Sequence, residues 1–316
     1  MKKEAVVLLN MGGPNNLDEV EIFLKNMFKD KHILSMKSDL LRSFVGGMIT
    51  FMRTENSQDI YKQIGGKSPI VEHTQSLVEK LQKKLGDEII VGFAMRYTPP
   101  FADEIIKKIE MEGVDKIYLI PLYPQQSTTT TLSSLEDFEE RYHKSGGDAV
   151  LVEVKHFFQN IKYNQAIIES IKQSVHLDEY KSFDIIFSAH GLPQKIIDSG
   201  DVYQKHIIRH VEILKKMMIE EGIFFHKVHI AYQSKVGPMA WLKPSLSDKL
   251  KTVRNRGVII FPIAFTIDNS ETDFELEIEY REIAKELGFE EYRVCKCPND
   301  SDLFVDALSE IYEKMR

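Results

Sequence analysis

The chain has 316 residues, 43% hydrophobic and 28% charged, with 41 basic against 48 acidic side chains for a formal charge of -7. That length buries one large core or two modest ones, and the acidic balance argues against nucleic acid or an anionic membrane as a partner of the whole surface. The two cysteines, Cys295 and Cys297, are too few for a disulfide framework or for the four ligands of a structural zinc or iron–sulfur centre, so a reducing, cytoplasmic setting is expected.

In chain order, the first apolar run, AVVLL, stops at Asn10 and reads as a strand, not a signal peptide. A nine-residue apolar segment, FVGGMITFM at 44–52, follows in polar surroundings, and no run reaches the ~18 apolar residues of a membrane span. The β-branched runs EIIVGFAM, KIYLIPLY, FDIIFSA, KVHIAY and GVIIFPIAF then alternate with segments of helical period such as ADEIIKKIEMEG and NQAIIESIKQSV. This alternation predicts an α/β protein with parallel sheets, and the continuous apolar character of the runs predicts strands covered on both faces. Between them, QQSTTTT at 125–131 reads chiefly as a helix cap.

The strands come in two sets. VVLLNMGGP parallels IIFSAHGLP, EIIVGFAMRYTPP parallels KVHIAYQSKVGP, and KIYLIPLYPQQSTTTTLSSLEDFEE parallels GVIIFPIAFTIDNSETDFELEIEY, in the same order. We therefore expect two similar doubly wound, Rossmann-like halves, 1–160 and 161–316, with the last helix packing back on the N-terminal half. Ligands of such sheets sit beyond the carboxyl ends of the strands. No GxGxxG fingerprint follows any strand, which argues against a nicotinamide or flavin site.

Two features stand at those ends in the second half. His190 follows a strand in FSAHGLP, and DNSETDFELEIEY packs six carboxylates into residues 268–280. On an α-helix, Glu271, Glu275 and Glu279 form one stripe with steps of ~6 Å along the axis. That stripe reads either as a solvated helix face, with Asp268 or Ser270 as N-cap, or as a carboxylate ladder. An imidazole and carboxylates converging at strand ends suit Fe(II) and similar divalent ions; alone, His190 reads as an ordinary hydrogen-bonded residue.

LLNMGGP, YKQIGGKSPI, MRYTPP, PLYPQQSTTTTLSS, FSAHGLP, YQSKVGPMAWLKPS and PIAFTIDNSETDFELEIEY, in this order along nearly the whole chain, resemble the ferrochelatase family. The resemblance implies a lyase of haem biosynthesis that inserts ferrous iron into protoporphyrin IX with release of two protons, on a chelatase-like fold with the site in a cleft between its halves. It casts His190 and Glu271 as the paired metal-binding and proton-accepting residues, without dividing the labour, and Asp268, Glu275 and Glu279 as an acidic row behind them. Met11, Arg53, Tyr61, Ser68, Arg96 and Tyr97 match positions that grip the porphyrin, and Trp241 packs either beside the ring or in the core.

Segment 44–52 corresponds to the lip of that cleft, from which transient contact with the inner face of the membrane is expected. Many family members carry histidine where Asn269 stands, so no metal ligand is expected at 269. The chain also ends soon after CKC, so no iron–sulfur cluster or tightly bound cofactor is expected. Iron enters as substrate and a monomer is expected. The competing readings are another tetrapyrrole chelatase, of coproporphyrin, cobalt or sirohydrochlorin type, and a non-catalytic porphyrin or haem carrier.

Overall fold

A computed structural model describes residues 3–316 except Lys37, Leu177, Val236 and Pro238. The chain divides into two units, one running to His156 and including Leu308–Arg316, the other Phe157–Ala307.

The first unit is built on β1 (Glu4–Asn10), β2 (Ile89–Met95), β3 (Lys116–Pro121) and β4 (Val150–Glu153), all parallel and ordered β2-β1-β3-β4. Its helices are α1 (Glu19–Lys29), α2 (Asp39–Gln63), α3 (Ile70–Leu85), α4 (Ala102–Met111) and α5 (Ser133–Ser145). Alternation along β1 sends Ala5, Val7 and Leu9 into a core with Ile105, Ile106 and Ile109 of α4 and Phe138 of α5. Val6 and Leu8 are equally buried on the other face, which is why the strand reads as one unbroken apolar run.

The second unit repeats the plan with β5 (Phe183–His190), β6 (Lys227–Gln233), β7 (Gly257–Pro262) and β8 (Glu291–Val294), parallel and ordered β6-β5-β7-β8. Its helices are α6 (Ile161–Ser174), α7 (Gln194–Asp198), α8 (Tyr203–Glu220), α9 (Leu246–Thr252) and α10 (Tyr280–Glu286); α11 (Asp302–Met315) closes the chain. Ile186, Val258 and Ile260 pack on Leu246, Leu250, Leu276 and Tyr280. The last residues of α11 belong to the first unit, where Tyr312 meets Tyr118 edge to face and donates to Glu4 Oε2 at 2.6 Å.

The two strand registers coincide when Pro121, paired with Leu9, is set on Pro262, paired with Ser188. Because Leu9 pairs with Ala94 and Ser188 with Ala231, Met11 then corresponds to His190 and Arg96 to Gln233, each two residues further on. The repetition extends to an uncommon element. After the third strand of each unit the chain enters a π-helix, Thr128–Leu132 in one and Glu271–Glu279 in the other, before turning α-helical. The acidic stretch is therefore not the α-helix its four-residue spacing predicts. Its closing bond runs from Tyr280 N–H to the Glu275 carbonyl, five residues back, a winding that is rare and concentrated at functional sites.

Segment 44–52 lies within the 25-residue α2. Gly46 faces α1 so closely that a Cβ there would sit 2.8 Å from the Phe28 carbonyl oxygen, whereas Leu40, Phe44 and Phe51 are 86%, 71% and 87% exposed. The segment is thus an outward apolar face and not a buried turn. Among the described residues, no helix is long and apolar enough to cross a membrane.

Candidate active site

Three strand ends of the second unit supply the site. His190 is the last residue of β5, and its register partner Gln233 is the last of β6. Ser234 follows at φ 63, and Glu271 and Glu275 come from the π-helix after β7. His190 Nδ1 lies 2.8 Å from Glu271 Oε2. Since a carboxylate only accepts, Nδ1 carries the proton, and Nε2 is left with no protein partner among the described residues. Tyr203 fixes the backbone beneath by donating to the His190 carbonyl at 3.0 Å.

Ser234 joins the two glutamates. Its backbone N–H donates to Glu275 Oε1 at 2.7 Å and its hydroxyl lies 2.9 Å from Glu271 Oε2, with Glu275 Oε2 also in reach. The left-handed backbone, uncommon for a residue with a Cβ, turns both donors toward the acids. Gly191 allows β5 and β6 to end this close: its N–H donates to the Gln233 carbonyl at 2.8 Å, and a Cβ would lie 2.7 Å from that oxygen. Trp241 bridges to Pro193, with its ring edge 3.3 Å from where the Gly191 Cβ would stand, so it is a neighbour of the His190 loop.

Burial alone would pull the His190 pKa down; the charge and hydrogen bond of Glu271 outweigh it, and the net shift is upward. Burial likewise favours neutral Glu271, but the imidazolium and the Ser234 and Gln233 donors hold it below the usual carboxylate range. Among the described residues, Glu275 pairs with no cation of its own. Burial first, then the Glu271 charge, push it up to about 7.

The rest of the expected acidic row goes elsewhere. Asp268 is buried, but Oδ1 accepts from Cys297 N–H at 3.0 Å and Oδ2 from Asn299 Nδ2 at 2.9 Å. Its carboxylate thus fastens the Cys297–Asn299 loop. Glu279 is exposed, at the solvent end of the glutamate stripe. Neither Asp268 nor Ser270 caps the helix; Asn269 does, accepting from Glu271 N–H at 2.8 Å. Asn269 thus supports Glu271, the role open to a neutral amide. Among the described residues, no three His, Cys, Asp or Glu side chains converge to hold a metal ion.

In the first unit, Met11, Tyr61 and Tyr97 share one apolar cluster with Val20, Phe23, Leu24 and Phe28. Arg53 is exposed on α2. Ser68 is buried, and its hydroxyl oxygen accepts from Ile70 N–H at 3.4 Å at the start of α3. Arg96 is committed to protein acids: Nε donates to Ser133 at 3.0 Å, Nη1 to Asp137 Oδ1 at 3.0 Å, and Nη2 lies 3.5 Å from Asp30 Oδ2. Asp30 also accepts from Tyr97 and Ser133, and these donors, with Arg96, lower its pKa against the opposing effect of burial. Arg96 and the Tyr97 hydroxyl are therefore tied to this network instead of presenting free donors.

Gln233 and Ser234 escape sequence reasoning as site residues, although they stand inside the motif YQSKVGPMAWLKPS, because a polar pair after a strand carries no pattern of its own. Comparison with known proteins identifies the chain. The ferrochelatase family model matches residues 3–316. The ferrochelatase of Sulfurimonas denitrificans is 68% identical over 316 residues, covering 100% of both chains, and that of Nitratiruptor sp. is 50% identical over 99% of this chain and 100% of its own. Two solved structures share the fold at low identity. SirB from Bacillus subtilis with Fe3+ is 11% identical, with a TM-score of 0.56 over 100% of this chain and 96% of that one. A cobalt complex of the sirohydrochlorin chelatase SirB from B. subtilis subspecies spizizenii is 9% identical, with a TM-score of 0.58 over the same shares. With two matching four-stranded parallel sheets and an identity of 68% to a ferrochelatase over its whole length, the chain belongs to the ferrochelatase family, the lyases that insert ferrous iron into protoporphyrin in haem biosynthesis.

Proposed function

We propose that His190, Glu271 and Glu275 carry the chemistry of this ferrochelatase. Insertion replaces two pyrrole protons by Fe(II), so the site must offer a ligand to the incoming cation and a base to the outgoing protons. In the neutral ring, with its proton on Nδ1, His190 offers the Nε2 lone pair for one of these tasks, and Glu271 orients the ring through Nδ1. Glu275, joined to Glu271 through Ser234, is the next acceptor for protons leaving the ring. The observation that carries this reading is the 2.8 Å bond between His190 Nδ1 and Glu271.

For the porphyrin we assign Arg53 as the propionate partner, since its guanidinium is exposed, and the Met11, Tyr61 and Tyr97 cluster as apolar support, with Ser68, Arg96 and Trp241 acting behind these contacts. The exposed side chains of Leu40, Phe44 and Phe51 favour transient contact with the inner face of the membrane, where a poorly soluble substrate is held. The enzyme works in the cytoplasm as a monomer and without a resident iron–sulfur cluster. The cysteine count supports the last point, because Cys295 and Cys297 fall short of the four thiolates that such a cluster takes.

Anaerobic insertion of limiting Fe(II) into protoporphyrin IX and coproporphyrin III, with His190→Ala alongside, tests the assignment. Loss of protoporphyrin that the substitution abolishes is expected. Equal rates for the variant would remove His190 from the chemistry, and tight porphyrin binding without turnover would favour a carrier.

A further inference from the structure

Gln233 is 1% exposed and its partner Ser188 is fully buried. The Ser188 hydroxyl donates to Gln233 Oε1 at 2.7 Å, and Gln233 Nε2 lies 3.4 Å from both Glu271 Oε2 and Glu275 Oε2. Rotated by a half-turn, the amide would aim its oxygen at two carboxylates, so the serine and the acids enforce one orientation. The backbone is fixed as well, by Gly191 N–H on the Gln233 carbonyl.

The corresponding position of the first unit makes the choice of residue informative. There Arg96 reaches the same helix region, donating to Ser133 and Asp137, and its charge neutralises the acids it holds. Gln233 offers donors without a charge.

We infer that Gln233, clamped by Ser188, is a positioning residue that holds Glu271 and Glu275 together beside His190 while leaving their negative charge available to the incoming divalent cation. The inference rests on the reading of these three residues as the iron site. An arginine here would occupy the acids as Arg96 occupies Asp137, whereas an apolar residue would let the like-charged glutamates spread apart.

Steady-state insertion under anaerobic conditions, with Fe(II) and protoporphyrin varied separately, tests this. Gln233→Met, near in volume but without a donor, is expected to raise the KM for Fe(II) about tenfold, the scale of an orienting hydrogen bond at a metal site, with the porphyrin KM unchanged. Ser188→Ala should shift the iron KM in the same direction and Ser188→Thr, which keeps the hydroxyl, should restore it. Gln233→Arg should lose insertion while still binding porphyrin in a Soret titration. A wild-type iron KM for Gln233→Met, or an equal change for both substrates, would overturn the inference. His190→Ala run in parallel separates the two levels: activity kept there overturns the site itself, whereas activity lost there with an unaltered Gln233→Met overturns only the role of Gln233. Should Gln233→Met not fold, the two Ser188 variants make the same comparison.

Discussion

Ser234 grips Glu275 twice, through a backbone N–H at 2.7 Å and through its hydroxyl. It does so from a left-handed backbone at φ 63 that disfavours any side chain, so local strain is tolerated where the donors are needed. Removing the hydroxyl and relaxing the backbone are separable. Ser234→Ala should lower kcat about tenfold through the lost donor and keep the strain. Ser234→Gly should lose the same activity yet be the more stable of the two in urea, by about 0.5–1 kcal/mol. Equal stability of the two variants would show that the left-handed turn costs nothing.

Glu275 gives a pH signature. Its pKa is raised in the folded state to about 7, so folding binds a proton that the unfolded chain releases near 4.5, and stability from this group is fully present below that value and lost as pH rises through 7. Glu275→Gln should therefore gain stability relative to wild type as pH goes from 5 to 8. Thermal unfolding at a series of pH values checks this, and a constant difference would contradict it.

The His190–Glu271 pair has the opposite dependence on its acid side. The lowered Glu271 pKa contributes stability above its unfolded value, lost as pH falls, and the raised His190 pKa contributes stability below its own unfolded value, lost as pH rises through the folded one. Glu271→Gln should thus be most destabilised relative to wild type between the two unfolded values, 4.5 and 6.5. The His190 ring should also titrate at lower pH in an NMR experiment; an unchanged midpoint would mean that Glu271 does not sustain the imidazolium.

Asp268 and Glu279 should part company. Asp268→Asn sets an amide against the Cys297 N–H or the Asn299 side chain, both donors to the present carboxylate, and should cost about 1–3 kcal/mol of stability. Glu279→Gln, on an exposed position, should leave both stability and the iron KM within error. A large iron effect for Glu279→Gln with none for Asp268→Asn would extend the iron path out to Glu279.

The parallel strands were legible because both of their faces are buried, which leaves the continuous apolar signature seen from Ala5 to Leu9 and from Val258 to Phe261. The pairing of the two halves was legible because Pro121 and Pro262 end equivalent strands. His190 and Glu271 could be proposed as a pair, since their chemistry and their places after strands coincide. What lay beyond sequence was direction. Asp268 and Glu275 are alike as carboxylates in one acidic stretch, but one faces the Asn299 loop and the other Ser234. The π winding was hidden because acids four apart suit an α-helix equally well, and the fate of Arg96 depended on Asp30, far away in sequence and close only in the fold.

The correspondence of Arg96 with Gln233 gives the repeated architecture an asymmetric temperament. One copy sets a fixed positive charge, Arg96, beside its acids Asp30 and Asp137; the other sets a neutral amide, Gln233, beside Glu271 and Glu275. A repeated scaffold thus carries cancelled charge in one unit and uncancelled charge at the equivalent place in the other, and a single side chain, cationic in one and neutral in the other, marks the difference.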